Sequence, residues 1–246
     1  MGLVFLDTET TGGEPGKDRL CQICYKLGDT VVDELFKPPL PISIKAMSIT
    51  HITNKMVDDK PPFVGSSTHD ELFKLLQEHI LVAHNAPFDI AALEVEDITV
   101  PQFICTLRVA RHLDDSEQIP EYNLQFLRYY FELEIEGVRP HDAKGDVLVL
   151  EAIFNELFSI AKEKSQDKSD QDIINEFMEI STKPSLVRRF RFGKYKGQRI
   201  EDVVQTNPGY LEWLLGEKEA QAATISGYNH DAELIYSLKH YLGRTA

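Results

Sequence analysis

Short apolar runs and helical stripes of apolar residues alternate along this chain, and their order predicts most of its elements. Leu3-Val4-Phe5-Leu6 is an unbroken apolar run that reads as a buried strand, and it leads straight into Asp7-Thr8-Glu9-Thr10. Arg19 to Leu27 and Thr30 to Phe36 read as two further strands turned about Gly28-Asp29, a hairpin signal. Lys37-Pro38-Pro39-Leu40-Pro41 suits neither a central strand nor a helix interior and predicts a surface connection. Leu72, Leu75, Leu76 and His79 then recur at helical spacing, and Ile80-Leu81-Val82-Ala83 follows as a second short buried strand. A helix is expected from Ile90 to about Glu96 with Pro87 at its start, where a missing N–H costs little. Phe103-Ile104-Cys105 predicts a brief strand, followed by helices from Thr106 to His112 and from Asn123 to Phe131. A longer helix opens near His141 and carries Val147, Leu150, Ile153, Phe154 and Leu157 on its apolar stripe.

Beyond Lys162 the rhythm weakens, and the Lys-, Asp-, Ser- and Gln-rich stretch to Asp172 reads as a frayed helix end or linker. The expected division is a main domain over 1–165, a linker or helix over 166–183, and a small module over 184–246. Seven Lys or Arg residues and no acid fall between Lys183 and Arg199, with Phe190, Phe192 and Tyr195 interleaved. Two readings stay open. Arg189, Arg191, Lys194 and Lys196 are candidate nucleic-acid contacts on a backbone-gripping, base-stacking surface. Alternatively the segment is a small hairpin with its aromatics in its own core and a solvated basic face. Asn207-Pro208 predicts a capped helix start, Trp213 is expected in the core, and a last helix runs from about Ala232 to Leu242.

Composition narrows the function classes. Of 246 residues, 42% are hydrophobic and 27% charged, the balance of a soluble globular protein. A net charge of −14 argues against broad adhesion to polyanions, so any nucleic acid has to be met by a local basic patch or by bound metal. Cys21 and Cys24, at i and i+3 on a predicted strand, face opposite sides, and with Cys105 they read as packing thiols. The chain opens on a strand without a basic leader and has no apolar run near 18 residues, so a soluble, cytoplasmic protein is expected. Met1-Gly2 does not open a myristoylation signal, because Leu6 stands where Ser or Thr is wanted.

The candidate chemistry lies at element ends. On a strand Asp7 and Glu9 point to one side, two anions close together with a divalent cation as their natural companion; taken alone in so acidic a chain, they read first as solvated residues where a strand runs out. Asp89 falls in the first turn of the helix that Pro87 starts, in His84-Asn85-Ala86-Pro87-Phe88-Asp89; on its own it reads first as a capping acid. Asp146 sits one turn inside the long helix, and His141 lies just before that helix's first turn.

These stretches resemble the DEDDh exonucleases: D-x-E in Leu6 to Gly12, the second motif in His84 to Asp89, and H-x₄-D from His141 to Asp146. A tyrosine-type relative would need Tyr where Asp142 stands, so the histidine branch fits. Ile104-Cys105-Thr106-Leu107, Phe192-Gly193-Lys194-Tyr195-Lys196-Gly197 and Pro208-Gly209-Tyr210-Leu211-Glu212-Trp213-Leu214 are similar to bacterial exodeoxyribonuclease X-type enzymes and extend the likeness over nearly the whole chain. The resemblance implies an α/β, ribonuclease H-like fold, with a mixed five-stranded sheet flanked by helices and a small C-terminal α+β module. It implies a metal-dependent 3′-to-5′ exonuclease that hydrolyses DNA from 3′ ends with two divalent ions, Mg²⁺ or in its place Mn²⁺. Asp7 would bridge both ions, Glu9 and Asp146 would complete one site and Asp89 the other, and His141 would take the proton from the attacking water. Thr8, Thr10, Met47, His51, Asn85 and Phe88 would hold the terminal nucleotide. Gly13-Glu14 departs from the pattern, since a bulky apolar residue there would help to part terminal bases. A proofreading-type polymerase subunit and an RNA-directed exonuclease are the alternatives, and a homodimer and a polymerase or repair partner stay open.

Overall fold

The computed structural model of the chain describes residues 1–14, 16–135, 143–165, 167–224 and 228–244, which form two compact units, Met1–Thr182 and Lys183–Ala246. In the first unit β1 (Leu3–Thr10), β2 (Leu20–Leu27) and β3 (Thr30–Leu35) precede α1 (Ile44–Thr50), α2 (Asn54–Val57) and α3 (Ser67–Glu78). Then come β4 (Ile80–Ala83), α4 (Pro87–Val95), β5 (Phe103–Cys105), α5 (Thr106–Leu113), α6 (Leu124–Tyr130), α7 (Ala143–Lys164) and α8 (Asp170–Thr182). The strands form one sheet in the order β3-β2-β1-β4-β5, antiparallel through β3, β2 and β1 and parallel through β1, β4 and β5.

Side-chain alternation on β1 sorts the two cores. Val4 and Leu6 face a layer with Leu72 and Leu76 of α3 and Leu93 of α4, whereas Phe5 faces Val147, Leu150, Ile153 and Phe154 of α7. Parallel β4 is covered on both faces, so all four of its residues are apolar and buried. Cys21 and Cys24 do lie on opposite faces, in separate clusters, and all three cysteines are buried outside any disulfide.

The stretch 166–183 holds α8, which belongs to the first unit. Its buried Ile173 and Phe177 join the α7 core, and Ser181 Oγ accepts the Cys105 N–H of β5 at 2.7 Å. Phe177 meets Phe154 edge-on at 6.1 Å and Phe158 at 6.4 Å. Phe177→Ala is therefore expected to lower unfolding free energy by about 3–5 kcal/mol, read as a fall in the denaturant midpoint.

The second unit comprises α9 (Ile200–Thr206), α10 (Pro208–Ala222) and α11 (Ala232–Tyr241) around Phe190, Leu211, Leu214 and Leu238. Asn207 caps α10 by accepting the Tyr210 N–H, and Pro208 opens that helix. The β part of the expected module is one antiparallel bridge, Arg189 to Arg199, among the described residues. Trp213 is not in the core: it is 58% exposed. Leu211, Leu214 and Leu215 occupy the buried face of α10, and Trp213 falls on the far side of the helix. Among the described residues no helix is long and apolar enough to cross a membrane.

Candidate active site

The end of β1 outruns its parallel neighbour. Pairing with β4 covers only Leu3 to Phe5, so the stretch from Asp7 onward meets the β4–α4 connection instead of a strand. There the Asp89 carboxylate, buried in the first turn of α4, takes up the Thr8 backbone N–H at 3.2 Å and the Thr8 hydroxyl at 2.8 Å. Asp89 thus ties α4 to β1 in addition to standing in a helix's first turn. Asn85 adopts a left-handed conformation, φ 65°, which lets the chain turn tightly from β4 into α4.

Asp7 and Glu9 share the β1 face that Phe5 presents to α7, and Asp146 lies in the first turn of that helix. Burial and the neighbouring acids Asp89, Glu9 and Asp146 hold the Asp7 carboxyl well above the ordinary carboxylate range. Burial, then Asp146 and Asp89, push Glu9 up to about 7. Burial also lifts Asp89 to about 7, against the lowering effect of its Thr8 hydrogen bonds. The charged neighbours acting on Asp7 and Glu9 are acids, so four carboxyl groups from three elements meet in one field of repulsion. Hard oxygen donors crowded in this way fit a divalent cation. Among the described residues no three of them already stand as a closed metal cage.

The other expected residues differ in where they lie. His141 lies outside the described residues. The buried Thr8 side chain is committed to Asp89, and Thr10 Oγ1 donates to the Gly12 carbonyl at 2.6 Å, so both shape the end of the strand. Ser43 N donates to the Thr11 carbonyl and anchors α1 beside that end; α1 carries half-buried Met47 and closes on exposed His51 at φ 59°. Phe88 is half-buried next to Asp89. Arg189, Arg191, Lys194 and Lys196 are all exposed in the second unit.

Two residues were not anticipated. Gln125 of α6 donates from Nε2 to Asp146 Oδ1 at 2.7 Å and so fixes one carboxylate oxygen. His84 is half-buried, held between Thr106 Oγ1 at 2.9 Å and the Tyr122 carbonyl at 2.7 Å, and desolvation pulls it down to about 4; it stays neutral and braces the β4–α4 turn. The position of His84 in the second motif gave a cue. Gln125 gave none, because its partner lies on another helix.

Comparison with known proteins agrees with this arrangement. An exonuclease family matches residues 4–154, and the exodeoxyribonuclease X-like C-terminal family matches residues 190–219. Exodeoxyribonuclease 10 of Escherichia coli K12 is 30% identical over 246 residues, spanning 99% of this chain and all of that protein. DNA polymerase III subunit epsilon of Rickettsia felis is 28% identical over 171 residues, 63% of this chain and 72% of the relative. Among solved structures, Exonuclease X in complex with 5′ overhanging duplex DNA superposes with a TM-score of 0.56 at 26% identity, over 73% of this chain and 99% of the other. An acid cluster of this make-up on this sheet, together with both family matches and the full-length relative, places the chain in the exonuclease family, in its DEDDh superfamily.

Proposed function

We propose that this protein is a divalent-metal-dependent 3′-to-5′ exonuclease that hydrolyses DNA from its 3′ ends and releases nucleoside 5′-monophosphates. The observation that carries this reading is the convergence of Asp7, Glu9, Asp89 and Asp146 at the end of β1, where burial raises the Asp7, Glu9 and Asp89 carboxyls and the neighbouring acids raise Asp7 and Glu9 further. Exonucleases of this family generally depend on a divalent metal. Asp7, Glu9, Asp89 and Asp146 would hold two ions, Mg²⁺ or Mn²⁺. Such ions, when bound, neutralise charge on the phosphate and on the leaving 3′ oxygen.

The chain's own groups do the rest. Thr8 holds Asp89 in place through two donors, and Gln125 holds Asp146 through one. His141 accepts the proton of the attacking water at its imidazole nitrogen. Met47, His51, Asn85 and Phe88, on α1 and around the start of α4, supply the surface for the terminal nucleotide.

A digestion series tests the reading. 5′-labelled single-stranded DNA, duplex DNA and RNA are incubated with Mg²⁺, Mn²⁺ or a chelator. The DNA products are expected to shorten stepwise from the 3′ end with either metal and to stay intact in chelator. Internal cuts, or digestion in chelator, would overturn the assignment. Faster loss of RNA would move the substrate to RNA.

A further inference from the structure

The second unit sorts its aromatic side chains into two sets. Phe190 is buried, and Tyr195 is tied down by Asn207 Nδ2, which donates to its hydroxyl at 2.8 Å. Phe192 and Trp213 are 42% and 58% exposed. Tyr210 links them: its ring lies 5.7 Å from that of Trp213, and a Cβ on Gly193, next to Phe192, would come within 3.3 Å of its hydroxyl. Gly193 and Gly197 take positive φ of 70° and 85°, which a tight turn requires, and between them the turn presents Lys194 and Lys196. The Lys194 ammonium stands 4.7 Å from the Tyr195 ring centre and 5.9 Å from that of Tyr210. Lys218, paired with Asp231 at 2.9 Å, lies 5.7 Å from the Phe192 ring centre.

We propose that Phe192, Tyr210 and Trp213, with Lys194 and Lys196, form a stacking platform for unpaired bases of single-stranded DNA, separate from the acid cluster of the first unit. Exposed rings serve any base, because every base has a π-face, and neighbouring ammonium groups follow the phosphates. Charge complementarity selects the occupant. In a chain of net −14, the segment from Lys183 to Arg199 carries seven cations and no acid. Nearby acids of α10 are largely engaged by cations of the same unit, Glu212 by Arg244 and Glu219 by Lys239, both at 2.8 Å. Glu217 is exposed and lies close to the Tyr210 and Trp213 side of the helix. Its replacement by Lys is expected to tighten binding. The inference rests on DNA being the substrate of the first unit, and it supplies that site with a hold on the strand being shortened.

Trp213 is the chain's one tryptophan, so it reports on its own surface. The full chain carrying Asp7→Asn is titrated in chelator with a 12-residue oligo-dT. Tryptophan emission is followed beside the anisotropy of a labelled copy of the oligonucleotide. Emission is expected to be quenched in step with the rise in anisotropy. Trp213→Ala and Phe192→Ala should each weaken binding roughly 5- to 150-fold, the loss of one stacked base. Lys194→Ala with Lys196→Ala should flatten the slope of log affinity against log salt by about 0.7 for each phosphate no longer neutralised. Phe192→Ala keeps the reporter if Trp213→Ala fails to fold.

A rise in anisotropy without quenching, or no binding at all, overturns the proposal. So does a dimer that dissociates on Trp213→Ala while oligo-dT leaves emission unchanged, because the face would then receive a second copy of the chain. Digestion by the unmutated protein without quenching sinks the platform alone. Quenching without digestion sinks the nuclease reading alone.

Discussion

Asp7→Asn is expected to end DNA cleavage and, in the absence of metal, to make the folded protein harder to unfold at pH 8. The two effects come from one cause. Asp7 faces Glu9, Asp89 and Asp146, and all of its strong electrostatic neighbours raise its pKa. In the fold, Glu9 and Asp89 ionise only near pH 7, whereas in the unfolded chain carboxyl groups ionise near pH 4. Below about pH 4 both states are protonated and the site costs nothing. Between about pH 4 and 7 the folded state binds more protons than the unfolded one, so metal-free stability falls as pH rises; above about pH 7 the full cost is present. One pKa unit is about 1.4 kcal/mol, so a site of this kind destabilises the metal-free protein on the order of a few kcal/mol at pH 8. Removing the Asp7 carboxyl relieves part of that cost. Adding Mg²⁺ or Mn²⁺ should raise Tm more at pH 8 than at pH 6 in the unmutated protein, and much less in Asp7→Asn. Thermal melts at both pH values, with chelator and with metal, check this; a metal-free Asp7→Asn protein less stable than the parent at pH 8 would contradict the shared repulsive field.

What the sequence carried and what it did not follows from where each interaction lies. The pairing of Asp7 with Glu9 was readable because strand alternation is local, and β1 does run to Thr10 with both acids on one face. Asp89 could be read as a helix-capping acid or as a site residue. The choice turns on the Thr8 N–H, which is free to meet it only because β4 is too short to cover that part of β1. The hydrogen bond from Gln125 to Asp146 joins two helices and has no signature within either. Trp213 was misplaced because α10 has apolar residues on several sides, and periodicity alone does not say which side docks. The polar run before α8 left linker and helix both open, and the helix is fixed by tertiary packing of Ile173, Phe177 and Ser181, each buried in the first unit. Strand order came from the resemblance, since short parallel strands leave their neighbours unspecified.

His141→Ala is expected to lower the cleavage rate by roughly 10²–10⁴-fold while leaving metal affinity close to that of the parent, because the role proposed for its imidazole is to take a proton and not to serve as a ligand. The four carboxylates already provide hard donors from β1, α4 and α7. Two different groups then shape the acid limb of the pH–rate profile, and metal separates them. Glu9, held up at about 7 by burial and by other acids, and Asp89, held there by burial, must lose protons to bind a cation, so raising Mg²⁺ should drag their share of the limb to lower pH. A general base that does not touch the ion gives a limb that saturating metal leaves in place. The unmutated protein should therefore retain an acid limb at saturating Mg²⁺, and His141→Ala should lose it along with most of its rate. Rate profiles at low and saturating Mg²⁺ decide the matter, with calorimetric Mn²⁺ titration as the control. If His141→Ala keeps the metal-insensitive limb, the proton goes elsewhere; if it loses Mn²⁺ affinity as steeply as Asp7→Asn, His141 serves the metal site and the base is another group.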